Sequence, residues 1–200
     1  PDGVSVVGEG EEVYLPSPMP TSSRLLDAPA MGRVLARMAS ELVERTADAS
    51  SVALVGIQRR GVELAERLAP LIEAQLGRPL LRGTLDITLY RDDLQAIGQR
   101  PVVHETRLPQ ALDGATVVIV DDVLYTGRTV RAALDELADF GRPSRIALAV
   151  LVDRGGRELP IHADIVGRAV TVVAGERVDV FVDELDGRDE VVIASRDDEG

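Results

Sequence analysis

The sequence predicts an α/β domain with a doubly wound, mainly parallel sheet and flanking helices. Two short apolar runs, 51–57 and 115–120, have the continuous hydrophobic character of strands that are buried on both faces. Segments with helical spacing of apolar residues lie between such runs. Alternation of strand, helix and strand is typical of parallel sheets. With 200 residues, the chain is long enough for one domain of this kind.

The first predicted element is a helix over 28–46. Asp27 precedes it as a helix-capping residue, and Pro29 suits the first turn. A strand over 51–57 follows. A turn leads to a second helix over 62–76, which Pro70 is expected to kink or divide.

The second half of the chain continues the alternation. Residues 80–90 alternate like a strand, and 91–112 form a long excursion of the kind that is usually functional or mobile. The remaining predicted elements are a strand over 115–120, a helix over 128–140, a strand over 145–152 and short strands over 164–166, 178–182 and 190–193.

Charge is concentrated at the two ends of the chain. The net charge is −12, which argues against a general nucleic-acid binder. Residues 1–23 carry four acids and no base, and we interpret them as a flexible extension before a single domain over 24–195. Residues 196–200 are an acidic tail. The segment 24–175 is nearly neutral at −1, so a local basic face remains possible there.

Composition excludes several kinds of chemistry. The chain has no lysine, which excludes a Schiff-base or Walker-type lysine, and no cysteine, which excludes disulfides and thiolate metal sites. No apolar run reaches the roughly 20 residues needed to span a bilayer, and the first residues have no secretory pattern. We therefore expect a cytoplasmic protein without membrane contact.

The segment VVIVDDVLYTGRT, residues 117–129, carries the strongest chemical signal. An apolar strand ends in Asp121 and Asp122, and a turn rich in hydroxyls and glycine then opens a helix. Ligands of open α/β sheets bind beyond the carboxyl ends of strands, and a helix N-terminus attracts anions. Gly127 lets the backbone approach a phosphate, whereas the two acids suit ribose hydroxyls or a metal ion. The pattern favours a sugar phosphate.

Two other interpretations of this segment remain open. The acids could be solvated and the turn an ordinary helix cap. A Walker B pair is the second alternative, but the sequence has no GxxxxGK[ST] motif.

The same segment resembles the motif with which type I phosphoribosyltransferases bind phosphoribosyl pyrophosphate (PRPP). Two further stretches, LDITLYRDDL at 85–94 and LAVLVDRGGRELPIHADIVG at 148–167, are similar to the PyrR family of pyrimidine-operon attenuation regulators and uracil phosphoribosyltransferases. The resemblance covers about 25–190. It implies the type I phosphoribosyltransferase fold with a small hood and a flexible loop.

The resemblance also implies the site. Asp121 and Asp122 would hold the ribose hydroxyls and reach the Mg²⁺ that arrives on PRPP, the loop up to Thr129 would hold the 5′-phosphate, and Arg59 and Arg60 would meet the pyrophosphate. The implied PRPP-binding residues are Gln58, Arg59, Arg60, Gly61, Asp121, Asp122, Val123, Leu124, Tyr125, Thr126, Gly127, Arg128 and Thr129. Of these, Asp121, Asp122, Arg59 and Arg60 are the catalytic candidates. A cis peptide that does not involve proline is expected in the 58–61 loop.

The base and the flexible loop are placed by the resemblance as well. Uracil would meet backbone groups near Val152 and Asp153, whereas the nearby charged side chains could merely brace their loop. The flexible loop would begin at Tyr90, Arg91, Asp92 and Asp93. His104 and His162 lack ligand spacing, and we interpret both as surface residues.

The implied reaction converts PRPP and uracil to UMP and pyrophosphate by positioning and charge stabilisation. The alternatives are another base, such as a purine or orotate, and a non-catalytic attenuator that senses UMP or UTP. A homodimer or higher homo-oligomer is expected. Leader mRNA would meet a basic face drawn from Arg24, Arg33, Arg37, Arg45, Arg142, Arg145 and Arg168.

Two departures from the family pattern bear on these roles. Thr171-Val172-Val173 stands where Pro-Thr-Ser is common, which weakens the expectation of RNA binding. Arg59 stands where threonine is usual, which weakens the expected pyrophosphate contacts.

Overall fold

A computed structural model describes residues 22–87, 105–110 and 112–195 of the chain. Strands and helices follow one another in the predicted alternation. The strands are β1 (Ser23–Asp27), β2 (Val52–Ile57), β3 (Leu81–Leu85), β4 (Thr116–Leu124), β5 (Arg145–Asp153), β6 (Ile165–Ala169), β7 (Glu176–Phe181) and β8 (Glu190–Ser195). The helices are α1 (Ala28–Thr46), α2 (Arg60–Leu76), α3 (Arg128–Ala138) and α4 (Asp183–Asp186).

The central sheet has five parallel strands in the order β3-β2-β4-β5-β6. One face of this sheet packs with α1 and α2 in a core of Leu, Met, Val and Ala side chains. The opposite face packs against α3 in a second core. Because helices cover both faces, the inner strands are mostly apolar, and all six residues of β2 are buried. The predicted doubly wound α/β fold is therefore confirmed.

A smaller antiparallel sheet, in the order β1-β8-β7, forms the hood. The predicted strands over 178–182 and 190–193 correspond to β7 and β8, whereas β1 and α4 were not predicted. β1 begins at Ser23, one residue before the expected start of the domain. Residues 1–21 of the predicted extension and the acidic tail lie outside the described residues.

Helix α1 begins where the capping signal predicts. The carboxylate of Asp27 accepts a hydrogen bond from the backbone N–H of Ala30 at 2.8 Å. The apolar stripe of α1 is buried, including Met31, Leu35 and Leu42. No helix among the described residues is long and apolar enough to cross a membrane.

Pro70 was expected to kink or divide the second helix, and the structure shows no division. α2 begins at Arg60 and continues through Pro70 to Leu76 without interruption. Pro70 lies on the exposed side of α2. The carbonyl group that loses its helical partner there can therefore bond to water.

The predicted end of the strand before the two acids is also wrong. β4 extends to Leu124, so Asp121 and Asp122 lie within the strand. The pairing with β5 explains the extension, because it continues from Asp121 opposite Val150 to Leu124 opposite Asp153. Two further boundaries are shorter than predicted: β3 ends at Leu85 and α3 at Ala138.

Candidate active site

The 58–61 loop and the two acids of β4 lie at the same edge of the central sheet. β2 and β4 are parallel neighbours, with Gly56 opposite Val120, so the residues that follow β2 lie beside Asp121 and Asp122 of β4. A β-carbon at Gly61 would lie 2.5 Å from the carbonyl oxygen of Val120. The loop therefore contacts the backbone of β4 directly. The peptide bond between Gln58 and Arg59 is cis, as expected.

Asp121 and Asp122 differ in exposure. Asp121 is buried, and its Oδ1 accepts a hydrogen bond from the N–H of Asp122 at 3.0 Å. Asp122 is half-buried, and its Oδ1 accepts from the N–H of Val123 at 2.8 Å. Burial raises the pKa of Asp122 above the ordinary aspartate value, although the Val123 N–H and the charge of Arg60 act in the opposite direction. The site therefore opposes the ionisation of Asp122 when no ligand is bound.

Beyond β4, the chain turns through Tyr125, Thr126 and Gly127 into α3. Gly127 has a φ of 91°, which favours glycine, and its backbone packs against Leu159 and Ile161. Gly127 supplies no side-chain cap to α3, although the N–H of Arg128 donates to Oγ1 of Thr126 at 3.3 Å. The next N–H groups of the first turn have no helical partner and can bind an anion, as the sequence predicts.

The loop after β5 supports this turn, the predicted phosphate loop. The carbonyl oxygen of Thr126 accepts hydrogen bonds from the N–H groups of Glu158 and Leu159, both at 3.0 Å. The guanidinium of Arg157 donates to the carbonyl oxygen of Tyr125 at 2.8 Å. Arg128 forms an ion pair with Glu158 at 2.8 Å. These contacts show that Arg157 and Glu158 brace the loop.

Val152 and Asp153, the predicted base-binding positions, end β5 beside the phosphate loop. Val152 is fully buried, and the carbonyl oxygen of Asp153 accepts from the N–H of Val170 at 2.9 Å. Burial alone would raise the pKa of Asp153, but hydrogen bonds from Arg157 and the N–H of Gly155 lower it. The ionised Asp153 side chain thus stabilises its own loop. Base binding by the nearby backbone stays a prediction.

Tyr125 connects the phosphate loop to the hood through Arg154. The Arg154 guanidinium stacks on the Tyr125 ring, 4.0 Å from its centroid, and donates to the carbonyl oxygen of Glu176 at 3.1 Å. Glu176 is the first residue of β7. Arg154 therefore spans the gap between the phosphate loop and the hood.

A cavity of about 350 Å³ lies between the central sheet and the hood. Its walls are polar on the sheet side, where Arg60 and Asp122 face it. The hood side is formed by Arg177, Val178, Asp179, Val180 and Phe181. These hood residues were not predicted as part of the site, although the alternating pattern over 178–182 predicted a strand there.

The predicted RNA-contacting arginines lie in two structural settings. Arg37 donates to the carbonyl oxygens of Val166 and Gly167, and Arg45 and Arg145 reach Asp164 at 4.0 and 3.9 Å. In this first setting, the arginines join α1 and the start of β5 to β6 and to Asp164, the residue before β6. The second setting is solvent: among the described residues, no side-chain partner is found for Arg33, Arg142 and Arg168.

The remaining predictions concern isolated positions. Arg24 pairs with Glu190 in the hood. His162 is exposed, as expected. Val173, in the segment that departs from the family pattern, is 66% exposed. Tyr90, Arg91, Asp92, Asp93 and His104 lie outside the described residues.

Comparison with known proteins agrees with this architecture. Residues 21–181 match the family model described as a phosphoribosyl transferase domain. The bifunctional protein PyrR of Thermus thermophilus is 55% identical over 175 residues, covering 88% of this chain and 97% of that protein. PyrR of Deinococcus radiodurans is 49% identical over 174 residues, covering 87% of this chain and 95% of that protein.

Solved structures give the same fold at low sequence identity. A hypoxanthine phosphoribosyltransferase of Trypanosoma cruzi superimposes with a TM-score of 0.68 at 18% identity, covering 87% of this chain and 95% of that one. The corresponding enzyme of Staphylococcus aureus has a TM-score of 0.63 at 18% identity, covering 84% and 90%.

Proposed function

This chain belongs to the phosphoribosyl transferase family, among the PyrR proteins, and from that premise we propose that it transfers the phosphoribosyl group of PRPP to uracil. The products are UMP and pyrophosphate. The observation that carries the proposal is one shared sheet edge, where the 58–61 loop, the acids of β4 and the N-terminus of α3 meet. In the proposed site, the arginines of the 58–61 loop bind pyrophosphate, the carboxylates of β4 bind the ribose, and the start of α3 binds the 5′-phosphate.

Each part of the site has a distinct task in this proposal. The N–H groups from Tyr125 to Thr129 hold the 5′-phosphate, and Asp121 and Asp122 hold the ribose hydroxyls. Arg59 and Arg60 stabilise the departing pyrophosphate. Departure leaves an oxocarbenium-like ribose, which N1 of uracil captures. The site thus works by positioning and charge stabilisation, without a protein nucleophile.

Asp121 and Asp122 fit a Mg²⁺ ion that arrives with PRPP. Mg²⁺ prefers oxygen ligands and binds through one or two carboxylates together with substrate oxygens. Among the described residues, no group of three or more His, Cys, Asp or Glu side chains could hold a metal ion. Mg²⁺ would reduce the negative charge of the pyrophosphate, and Asp122, which faces the cavity, is the better placed ligand.

Uracil is proposed as the base because the stretches 85–94 and 148–167 are similar to the PyrR family. A type I phosphoribosyltransferase for another base is the alternative. Pyrophosphate release from PRPP and Mg²⁺ should be measured with uracil, orotate and hypoxanthine in parallel. We expect turnover with uracil alone, and its loss in Asp122→Asn. Turnover with only hypoxanthine or orotate would contradict the assignment of the base.

We also propose uridine-nucleotide-dependent binding to the leader mRNA of a pyrimidine operon, because the matched relatives are named bifunctional PyrR proteins. Exposed Arg33, Arg142 and Arg168 supply cations for phosphate contacts. In this proposal, the protein acts in the cytoplasm as a homodimer or higher homo-oligomer. A gel-shift titration with leader RNA, with and without UMP or UTP, tests the regulatory activity. Binding that ignores both nucleotides would contradict it.

A further inference from the structure

Arg60 is bound by a carboxylate of the hood. Its Nη2 lies 2.9 Å from Oδ1 of Asp186 and its Nε lies 3.2 Å from Oδ2, so the two side chains form a bidentate pair. The Arg60 guanidinium also lies 6.0 Å from the centroid of the Phe181 ring. Two hood residues thus determine where the charge of Arg60 is placed.

The backbone of Arg60 is positioned separately from its side chain. Arg60 is the first residue of α2, and the next residue, Gly61, packs directly on the carbonyl oxygen of Val120. That packing leaves the torsions of the long side chain free. Ordering a free arginine side chain at the moment of binding costs rotamer entropy. The pair with Asp186 meets this cost before a ligand arrives.

Asp186 is itself well fixed. Its Oδ2 accepts a hydrogen bond from the N–H of Val182 at 2.9 Å, and its side chain is 18% exposed. Hydrogen bonding from Arg60 lowers the pKa of Asp186 below its ordinary value. The carboxylate is therefore ionised near neutral pH and stays available to Arg60.

We propose that Asp186 is a positioning residue for PRPP, which holds the Arg60 guanidinium at the cavity for the pyrophosphate group. This inference rests on the proposed function and adds a hood residue to the pyrophosphate side of the site. Asp186 contacts Arg60 through Nε and Nη2, which leaves Nη1 for the ligand. The hood thereby contributes to PRPP binding without contacting PRPP through this residue.

Glu184 provides a matched control on the same short helix. It accepts from Nε and Nη2 of Arg67 at 2.9 and 2.6 Å, so it also joins α4 to α2 by a bidentate pair. Arg67, however, is not among the residues that line the cavity. Arg67 also donates to Oδ1 of Asp189 at 2.7 Å, so Glu184→Ala removes one of its two carboxylate partners. Loss of Glu184 therefore reports the structural cost of losing one ion pair between α4 and α2 without moving a pyrophosphate contact.

The test compares the wild type with Asp186→Ala, Asp186→Asn and Glu184→Ala. Steady-state rates give the KM values for PRPP and uracil, and added pyrophosphate gives its inhibition constant. We expect Asp186→Ala to raise the KM for PRPP and the pyrophosphate inhibition constant by about tenfold, the scale of one charge-assisted hydrogen bond. The KM for uracil should change less than about twofold in the same variant. For Asp186→Asn, the KM for PRPP and the pyrophosphate inhibition constant should lie between the values of the wild type and of Asp186→Ala. For Glu184→Ala, both constants should match those of the wild type.

Asp186→Asn keeps an acceptor for Val182, so it guards against misfolding of the alanine variant. Unchanged PRPP and pyrophosphate constants in Asp186→Asn and Asp186→Ala would overturn the inference. Tighter pyrophosphate binding would also overturn it, because Asp186 would then be a competitor for Arg60. A wild-type chain that gives no turnover counts against the proposed function instead. Calorimetric titration of the same variants with PRPP and Mg²⁺ then decides the role of Asp186.

Discussion

The carbonyl oxygen of Val120 lies against Gly61, at 2.5 Å from the point that a β-carbon on this glycine would occupy. This contact joins the 58–61 loop to the strand that carries Asp121 and Asp122. The position of the 58–61 loop relative to the two carboxylates therefore depends on the absence of a side chain at Gly61.

Gly61→Ala should displace the 58–61 loop from β4. We expect activity to fall about 100-fold, because a shift of about 1 Å in a positioning element can have that effect. The unfolding free energy should fall by about 1–3 kcal/mol through overpacking. Steady-state rates and urea unfolding measure both effects. Gly32→Ala is the control: it lies in α1 with open space around it, and it should stabilise the protein by about 0.5–1 kcal/mol.

Gly155 and Gly156 form a natural pair for testing the support of Tyr125. Both have positive φ, 72° and 75°, so alanine strains the backbone by about 1 kcal/mol at either position. A β-carbon at Gly156 would lie 2.5 Å from the Tyr125 ring, whereas no atom of the described residues lies within 4 Å of a β-carbon at Gly155. Gly156→Ala should therefore raise the KM for PRPP by about tenfold or more relative to Gly155→Ala. Equal KM values would show that Tyr125 does not position the phosphate loop.

Asp122→Asn should lower activity by about 100-fold, the scale for loss of one preorganised electrostatic contact. The same change should raise the melting temperature at neutral pH. Burial raises the pKa of Asp122 in the folded state, so the folded protein holds this proton more tightly than the unfolded chain does. Stability is therefore lost as the pH rises through the folded-state pKa, and asparagine does not titrate.

Melting curves from about pH 4 to pH 8 check the sign of this effect. The difference between Asp122→Asn and the wild type should grow with pH and disappear near the ordinary aspartate pKa of about 4. A variant that is less stable than the wild type at pH 8 would contradict the assigned cause.

Variants of Arg33 and Arg37 distinguish an effect on RNA binding from an effect on stability. Both residues lie on α1, but of the two only Arg37 donates hydrogen bonds to carbonyl oxygens of β6. Arg33→Ala should weaken leader-RNA binding, reduce the salt dependence of log K by about 1 and leave the melting temperature unchanged. Arg37→Ala should cost about 1 kcal/mol of stability. Filter binding at several salt concentrations and thermal unfolding measure these outcomes. Identical salt dependence in Arg33→Ala and the wild type would remove Arg33 from the RNA surface.

Features that depend on residues close together in the sequence were predicted well. Asp27 caps α1 as expected, and the buried strands β2 and β5 lie within one residue of their predicted bounds. The fold class and the membership of the PyrR group also follow from local motifs, and both are confirmed. The roles of the individual site residues remain predictions.

Boundaries and partners were harder to predict because they depend on residues distant in the chain. β4 continues through Asp121 and Asp122 because β5 pairs with it, and this pairing is invisible in segment 117–129 alone. α2 continues through Pro70 because that residue lies on its exposed side. Both errors arose where tertiary context outweighed a local rule.

The sequence by itself determined the doubly wound sheet and the turn that follows the two acids of β4. Periodicity, capping and short motifs act over a few residues, and each is legible in the chain. Only the tertiary structure brought the hood over the cavity, placed Arg177 to Phe181 in its wall and joined Arg60 to Asp186 across 126 positions. Such contacts arise from packing between distant segments, for which no local pattern in the sequence provides a signal.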